Sequence, residues 1–256
     1  MSARTILVIG IGAGDPEHVT YQAVSALRRV DVFFAPDKGE EKDDLNALRT
    51  QLCDRFIGAN QYRFVRFPDP RRDTRERSYR DAVSVWHAER EALYAHAFAT
   101  ELREGQVGGI LAWGDPALYD STLRILDRIR SRGELALEIE VIPGVSSVSV
   151  LAARHGIPLN RIGESVHITT GRKLAEKFPH DADSVVVMLD GACAFKHHVQ
   201  RDLHIYWGAY LGTPDEILVS GPLRDVADRI ESVRAEARAR KGWIMDIYLL
   251  RPSETS

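Results

Sequence analysis

The feature that most constrains this chain is a short apolar run that ends in glycines and is followed by a helical pattern. Residues 5–10 are β-branched and apolar, as in a parallel strand buried on both faces. Glycines at positions 10, 12 and 14 predict a turn, and the apolar spacing after Asp15 and Pro16 predicts a helix that starts there. Residues 30–35 predict a second strand. This order favours a βαβ crossover in a mostly parallel sheet.

The alternation of strands and helices continues to about residue 147 and then changes. In the first part the pattern predicts strands at 61–67, 107–112 and 138–142, with helices at 81–104 and 119–132. In the second part it predicts strands at 166–170, 184–189, 204–210 and 243–250, with a charged helix at 223–240. The last strand has no helix after it, which favours a mixed sheet. We therefore predict an α/β protein of two α/β domains, residues 1–148 with a mostly parallel sheet and residues 149–256 with a mixed sheet.

Composition narrows the class of partner. The chain has 34 Lys and Arg against 37 Asp and Glu, a net charge of -3, so nothing favours nucleic acid or an acidic membrane as partner. No apolar stretch approaches the roughly 20 residues that span a bilayer. The two cysteines, Cys53 and Cys193, are too few for a disulfide framework, and we predict that both are buried. These features predict a cytoplasmic protein with a small-molecule ligand.

Three glycine-bearing segments follow predicted strands, at residues 10–16, 114–119 and 143–147. Ligands of open α/β sheets bind where strands end, so these loops are the candidate ligand site. The first loop has Asp15 where a dinucleotide fingerprint needs its third glycine, and no loop contains the G-K-S/T of a phosphate loop. Val148 stands where a hydrolase elbow around Ser146 needs glycine. These three common site types are therefore disfavoured.

The three loops together resemble those of the tetrapyrrole (precorrin) methylases. The segments GIGAGDPEHVTYQAVSALRRVDVFF, GDPALYDS and VIPGVSSVSVLAARHGIPL have the family's order and spacing, and the resemblance extends through VHITTG, VVVMLDG and YWGAYLGTPDE. KDDLNALR, YRDAVSVWHAER and KGWIMDIYLLRP resemble members of cobalamin biosynthesis that also release an acetyl unit as acetate. The resemblance implies a C-methyltransferase that uses S-adenosylmethionine and a tetrapyrrole substrate. It also implies a cofactor cleft between two α/β domains, and a homodimer.

The resemblance further implies a cofactor site made largely of main-chain atoms, since glycine lets a ligand approach the backbone closely. The residues that match the family's motifs there are Ala13, Trp113, Gly114, Asp115, Leu118, Tyr119, Ser146, Ser147, Met188, Leu189, Ala209, Gly212 and Thr213. The chain departs from many relatives at Ala13, where they have proline in Gly-Pro-Gly-Asp. It also has Ala35-Pro36-Asp37 where uroporphyrinogen-type relatives have Tyr-Asp, so Asp37 is the candidate general base, offset by one position.

A corrin precursor carries many carboxylates, and the planar fork of arginine suits bidentate binding of them. Arg154, Arg161 and Arg172, near the third motif and the domain junction, are the candidate substrate-binding residues. The densest basic stretch is instead predicted to be a solvated loop and helix start, because Asp69, Asp73 and Glu76 interrupt it. Its arginines are Arg66, Arg71, Arg72, Arg75, Arg77 and Arg80.

Other conspicuous residues have ordinary structural interpretations. Cys193, His197 and His198 lack a second ligand pair, so no metal site is predicted. The tryptophans at 86, 207 and 243 are predicted to lie in the core or at a dimer contact. Three alternatives stay open: another precorrin or uroporphyrinogen methylase, a nucleotide-dependent oxidoreductase, and a non-catalytic module that binds a metabolite. Binding of S-adenosylhomocysteine or of a nicotinamide cofactor would separate the methylases from the oxidoreductase.

Overall fold

The structure is a computed structural model that describes residues 3–37, 43–70, 79–179 and 181–253. Contacts between residues divide the chain into two compact units. The first unit contains residues 1–12 and 16–145, and the second contains residues 13–15 and 146–256. The predicted domain limits, 1–148 and 149–256, stay a prediction.

The first unit is a five-stranded parallel sheet with helices between its strands. In chain order it consists of β1 (Arg4–Gly10), α1 (Tyr21–Leu27), β2 (Val32–Asp37), α2 (Asp43–Phe56), β3 (Phe64–Pro68), α3 (Tyr79–Glu101), β4 (Val107–Ala112), α4 (Thr122–Arg132) and β5 (Leu137–Ile142). The strand order is β3-β2-β4-β1-β5, and the pairings are parallel. The predicted parallel sheet is confirmed. Helix α2 was not predicted.

Both faces of this sheet are buried, as the apolar run at residues 5–10 predicts. Ile6 and Val8 pack into one cluster with Phe34 and the helices α3 and α4. Leu7 and Ile9 point to the other cluster, which contains Ala23 and Leu52 from α1 and α2. Successive residues of a strand face opposite sides, so the continuous run fills two cores. Each fully buried side chain of this size stabilises the fold by roughly 1.5–3 kcal/mol.

Two predicted helix starts were wrong for identifiable reasons. Pro16–His18 forms only a 3-10 turn, and α1 begins at Tyr21 because the Thr20 hydroxyl accepts a hydrogen bond from the Ala23 amide at 3.0 Å. The helix predicted from residue 119 begins instead at Thr122. Tyr119 has a φ of 53°, a left-handed conformation that a right-handed helix excludes.

The second unit contains a mixed sheet, as predicted. Its elements are α5 (Ser147–His155), β6 (Val166–Thr170), α6 (Gly171–Glu176), β7 (Ser184–Met188), β8 (Leu203–Ala209), β9 (Ile217–Pro222), α7 (Leu223–Lys241) and β10 (Asp246–Pro252). The order is β6-β7-β10-β8-β9, with β6 and β7 parallel and the other pairs antiparallel. The final strand lies in the middle of the sheet, so it needs no crossover helix after it. Strand β9 was not predicted.

The core of the second unit is aromatic. Trp207, Phe195 and Tyr248 are among its fully buried side chains, which confirms a core position for Trp207.

Cys53 and Cys193 are both free and buried, as predicted, and burial raises the pKa of the Cys53 thiol to about 12. Among the described helices, none has the length and apolar character to cross a membrane.

Candidate functional site

The carboxyl ends of β1, β4 and β5 lie side by side, and each runs into a glycine-bearing loop. The register pairs Gly10 with Ala112, and Ile9 with Ile142. Beyond the strands, the Gly114 amide donates to the Gly12 carbonyl at 2.8 Å, and the Gly12 amide donates back at 3.3 Å. The first and second loops are therefore joined by main-chain hydrogen bonds at one edge of the sheet.

Glycine is required where the second and third loops meet. A Cβ atom on Gly144 would lie 2.1 Å from the Gly114 carbonyl oxygen and 2.8 Å from the Gly10 Cα. A Cβ atom on Gly10 would in turn lie 2.5 Å from the Gly144 nitrogen. Such distances leave no room for a side chain, so the three loops are held at backbone contact.

Asp115 ties two of these loops together. Its Oδ1 accepts from the Ala117 amide at 2.7 Å, and its Oδ2 accepts from the Gly144 amide at 2.9 Å. The carboxylate thus bonds main-chain groups of both the second and the third loop. The sequence predicts a direct cofactor contact for Asp115, and the structure adds a role in fixing the loop that the motif alone did not indicate.

The second loop presents main chain and aromatic groups for a ligand. Gly114 has a φ of 70°, and a Cβ added to it would have no neighbour within 4 Å. Tyr119 is also left-handed and is 46% exposed. The Trp113 indole N–H is buried and has no acceptor among the described residues. Leu118 donates its amide to the Asp115 carbonyl at 3.2 Å, which closes the turn.

In the second unit, residues 13–15 pack against the segment after β8. Gly14 has a φ of 149°, and a Cβ on it would lie 2.7 Å from both the Leu211 carbonyl oxygen and the Thr213 Cγ2 atom. Ala13 therefore lies close in space to Gly212 and Thr213, which the sequence separates by about 200 positions. Ala209, the last residue of β8, pairs with Asp246. The structure brings these four candidate cofactor residues into one region.

The third loop ends at the start of α5. Ser146 is its N-cap, with the hydroxyl accepting weakly from the Ser149 amide at 3.4 Å, and Ser147 is the first helical residue. The backbone amides of a first helical turn lack intrahelical partners, which suits a polar ligand group. The sequence prediction did not identify this helix.

The turn after β7 displays an apolar side chain on a strained backbone. Met188 ends the strand, and Leu189 has a φ of 53° with its side chain 67% exposed. A non-glycine residue in this conformation costs on the order of 1 kcal/mol and is concentrated at functional sites. An exposed leucine held in this way is suited to cover an apolar part of a ligand.

Asp190 fixes that turn, and sequence reasoning missed it. The side chain is buried, and its oxygens accept from the Ala192 amide at 2.9 Å, the Ala194 amide at 2.7 Å and the Tyr248 hydroxyl at 2.7 Å. Burial raises the pKa of the Tyr248 hydroxyl, so it remains a donor at neutral pH. The available signal was the Asp-Gly pair directly after a buried strand, which is typical of a turn.

Arg234 supports the same turn from α7. Its Nη2 donates to the Asp190 carbonyl at 2.6 Å, and its Nε donates to Asp246 Oδ2 at 2.9 Å. The Trp207 indole donates to the same Asp246 oxygen at 3.1 Å. Both members of this ion pair are buried, and hydrogen bonds link them to the Asp190 carbonyl and the Trp207 indole.

The candidate base lies in the first unit, and the candidate substrate arginines lie in the second. Asp37 is the exposed last residue of β2. Arg154 Nε donates to Glu216 at 2.6 Å, Arg161 lies 3.1 Å from Asp183, and Arg172 lies 3.4 Å from Glu176. Each of these three arginines thus has a carboxylate partner within the second unit. Of the predicted basic stretch, Arg71, Arg72, Arg75, Arg77 and the side chain of Arg80 lie outside the described residues.

The residues considered as metal ligands have structural surroundings. Cys193 is buried, and His197 and His198 lie in the 3-10 helix Ala194–His198, where the His198 ring is 3.2 Å from the Leu174 carbonyl. Within the parts of the chain that the structure describes, no three His, Cys, Asp or Glu side chains are grouped as a metal site.

Comparison with known proteins identifies the family. The family model for tetrapyrrole (corrin/porphyrin) methylases matches residues 5–227. A precorrin-6A synthase (deacetylating) from Sinorhizobium sp is 50% identical over 248 residues, which are 97% of this chain and 95% of that protein. The chain is a tetrapyrrole methylase. The resemblance inferred from the three loops is thereby confirmed.

Solved structures agree with this assignment of the methylase. The crystal structure of a cobalamin synthesis related protein (CobF) from Corynebacterium diphtheriae is 40% identical, covers 99% of the methylase and 100% of that chain, and has a TM-score of 0.84. A second solved structure is a uroporphyrin-III C-methyl transferase from Thermus thermophilus, complexed with S-adenyl homocysteine. It is 20% identical, covers 96% of the methylase and 92% of that chain, and has a TM-score of 0.58. At 20% identity, the similarity to the Thermus thermophilus protein shows a shared fold.

As a member of this family, the methylase uses S-adenosylmethionine as its cofactor. Its loops fit such a ligand. In the first unit, Gly114 leaves main-chain atoms open beside the buried Trp113 N–H. In the second unit, considered by itself, Ser146 offers a helix start and Leu189 an exposed apolar surface. A ligand with an amino-acid end and an adenine ring needs both kinds of contact.

Proposed function

We propose that the chain is a C-methyltransferase of cobalamin biosynthesis that methylates precorrin-5 at C-1 and releases acetate, giving precorrin-6A. The observation that carries the proposal is the 50% identity to the Sinorhizobium precorrin-6A synthase (deacetylating) over 97% of the chain. The fold similarity to CobF from Corynebacterium diphtheriae, at 40% identity, supports the same pathway.

The cofactor supplies an electrophilic methyl group on sulfur, and the protein supplies position. We propose that main-chain atoms of the glycine loops bind it. The residues are Ala13, Trp113, Gly114, Asp115, Leu118, Tyr119, Ser146, Ser147, Met188, Leu189, Ala209, Gly212 and Thr213. Methyl transfer to a ring carbon needs little covalent chemistry from side chains, so alignment in a site without water is the main contribution.

Release of acetate needs more from the protein, since water must be delivered to a carbonyl carbon. We propose Asp37 as the general base, because it is an exposed carboxylate at the carboxyl end of β2. Arg154, Arg161 and Arg172 are the proposed partners of substrate carboxylates. Each would have to exchange its present partner, Glu216, Asp183 or Glu176, for the substrate.

The deciding experiment is incubation of the purified protein with precorrin-5 and S-adenosylmethionine, with acetate and S-adenosylhomocysteine both quantified. The balanced reaction consumes one water and yields one acetate for each methyl group transferred. Equal amounts of the two products support the proposal. Methylation without acetate would instead identify another precorrin or uroporphyrinogen methylase.

The Asp37→Asn variant tests the base within the same assay. We expect it to lower acetate release while the affinity for S-adenosylhomocysteine stays that of the wild type. We further propose a cytoplasmic homodimer, as the family resemblance implies. Light scattering on the purified protein would test the dimer, and a monomeric mass would refute it.

A further inference from the structure

Three guanidinium groups converge at the carboxyl edge of the sheet in the first unit. Arg49 extends from α2, and its Nε donates to the Leu111 carbonyl near the end of β4 at 3.4 Å. Arg90 extends from α3 on the other face, and its Nη1 donates to the Ser121 hydroxyl at 3.2 Å. Arg66 lies on β3, on the same face as Phe64, with its Cζ 6.0 Å from the Phe64 ring centroid.

Arg90 already has its counter-ion. Its Nε lies 2.9 Å from Asp69 Oδ1, and the two side chains are only 8% and 10% exposed. The Trp86 ring lies 4.6 Å below the same guanidinium. Asp69 follows β3 and donates its amide to the Asp37 carbonyl at 2.9 Å, so this ion pair is fixed beside the end of β2.

Within the described residues, the hydrogen bonds of Arg49 go to neutral groups. Besides the Leu111 carbonyl, its guanidinium donates to the Asn46 side-chain oxygen at 3.2 Å. Among the described residues, no carboxylate lies within 4.0 Å of it. Burial lowers the pKa of the Arg49 guanidinium; Tyr94 and the Asp120 carboxylate act against this, and the positive charges of Arg90 and Arg66 add to it.

An arginine remains protonated at neutral pH in any protein environment. A buried cation without an anion destabilises the fold, and nearby cations increase that cost. Residues that break a local rule of this kind are expected at functional sites. Among the described residues, the partly buried Arg49 has no carboxylate within hydrogen-bond reach and feels Asp120 only at longer range, which indicates room for an anionic ligand at this edge of the sheet.

We propose that Arg49, with Arg66 beside it, binds a carboxylate of the tetrapyrrole substrate. The choice of substrate class rests on the proposed function. The planar fork of Arg49 can donate two parallel hydrogen bonds to a carboxylate, while Arg66 adds charge from its exposed position on β3. The arginines predicted from sequence for this role, Arg154, Arg161 and Arg172, all lie in the second unit and are already ion-paired.

The test is a fluorescence titration with uroporphyrin III, a stable polycarboxylate tetrapyrrole, on the full chain. We expect Arg49→Gln to weaken its binding about tenfold or more, since a charge-assisted hydrogen bond is lost. The matched control is Arg63→Gln, which removes the same charge next to the amino end of β3, where Arg63 pairs with Glu101 at 2.6 Å. The control should change the affinity by less than about twofold.

A second readout separates binding from structure. The proposal implies that Arg49 contributes little to the stability of the fold when no anion is bound, so Arg49→Gln should have a melting temperature equal to or above that of the wild type. Its affinity for S-adenosylhomocysteine should not change. A lower melting temperature together with unchanged uroporphyrin binding would identify Arg49 as a structural cation and refute the proposal.

Arg66→Gln gives an independent measurement, because this exposed side chain can be replaced without disturbing the core. It should also weaken uroporphyrin binding, by several-fold. If the wild type binds uroporphyrin and both variants bind it equally well, the subsite is wrong and the proposed function stands. If the wild type binds S-adenosylhomocysteine but no uroporphyrin, both the subsite and the proposed substrate class are wrong.

Discussion

Replacement of Gly144 by alanine tests whether backbone contact between the glycine loops holds the site together. The φ of Gly144 lies outside the left-handed region, so alanine can adopt the backbone conformation, and only the added methyl group matters. That methyl would lie 2.1 Å from the Gly114 carbonyl oxygen and 2.8 Å from Gly10. Both neighbours are main chain and cannot rotate away.

The cost follows from these contacts. Overpacking costs typically 1–3 kcal/mol, and two backbone overlaps place Gly144→Ala at about 3 kcal/mol or more. For a chain of this size, that free energy corresponds to a melting temperature lower by roughly 6–12 °C. The shift would also break the hydrogen bond from the Gly144 amide to Asp115 at 2.9 Å. Loss of that bond should weaken binding of S-adenosylhomocysteine about tenfold.

The assay compares thermal unfolding and calorimetric titration with S-adenosylhomocysteine in two variants. The control, Gly133→Ala at the end of α4, has a φ of 70° but no neighbour within 4 Å of the new methyl. It should lose only about 1 kcal/mol from backbone strain and keep full affinity. If Gly144→Ala is no less stable than Gly133→Ala and binds the ligand equally well, the argument from loop contact is wrong.

Three further predictions concern residues that support the site. Tyr248→Phe removes the hydroxyl donor of the buried Asp190 carboxylate, so it should lower the free energy of unfolding by about 1–3 kcal/mol and weaken S-adenosylhomocysteine binding. The control Tyr62→Phe loses an exposed hydrogen bond to Asp54 and should change neither the stability nor the affinity. Asp115→Ala should weaken S-adenosylhomocysteine binding in calorimetry, whereas Asp37→Ala should not, and equal affinities would contradict both roles. Burial lowers the pKa of His155 from its ordinary 6.5 in the folded chain, so on acidification the unfolded chain binds this proton at a higher pH than the folded chain does. The free energy of unfolding therefore falls as the pH drops below about 6.5. In denaturant titrations from pH 7.5 to 5.5, His155→Gln should reduce this slope, by at most about 1.4 kcal/mol per pH unit.

Much of the fold could be predicted because it depends on apolar patterning. The run at residues 5–10 fills two cores, and the strand at Val107–Ala112 was predicted with its observed ends. Element starts were less predictable where tertiary contacts override the local pattern. The Thr20 cap moved the start of α1, and the left-handed conformation of Tyr119 moved the start of α4.

In the candidate site, only the positions of the glycine-bearing loops could be predicted from the sequence. Backbone conformations of non-glycine residues are set by packing, so the left-handed Tyr119, Leu189 and Tyr210 could not be identified from their side-chain type. Asp190 was missed for a related reason, since its three hydrogen-bond donors come from its own turn and from Tyr248, 58 positions away. Arg49 was missed because the absence of a paired carboxylate, which holds among the described residues, is visible only when the surroundings of a charge are known.

The first loop shows how packing replaces a local constraint. Many relatives have proline where this chain has Ala13, and the absence of proline would be expected to loosen the loop, because proline fixes φ. Here Ala13 is only 3% exposed, and it lies between Gly12 and Gly14, both with positive φ. Gly14 is packed on Leu211 and Thr213 so closely that no side chain fits. The loop conformation is therefore fixed by its neighbours on both sides, and alanine suffices at this position because tertiary contact supplies the rigidity that proline would otherwise give.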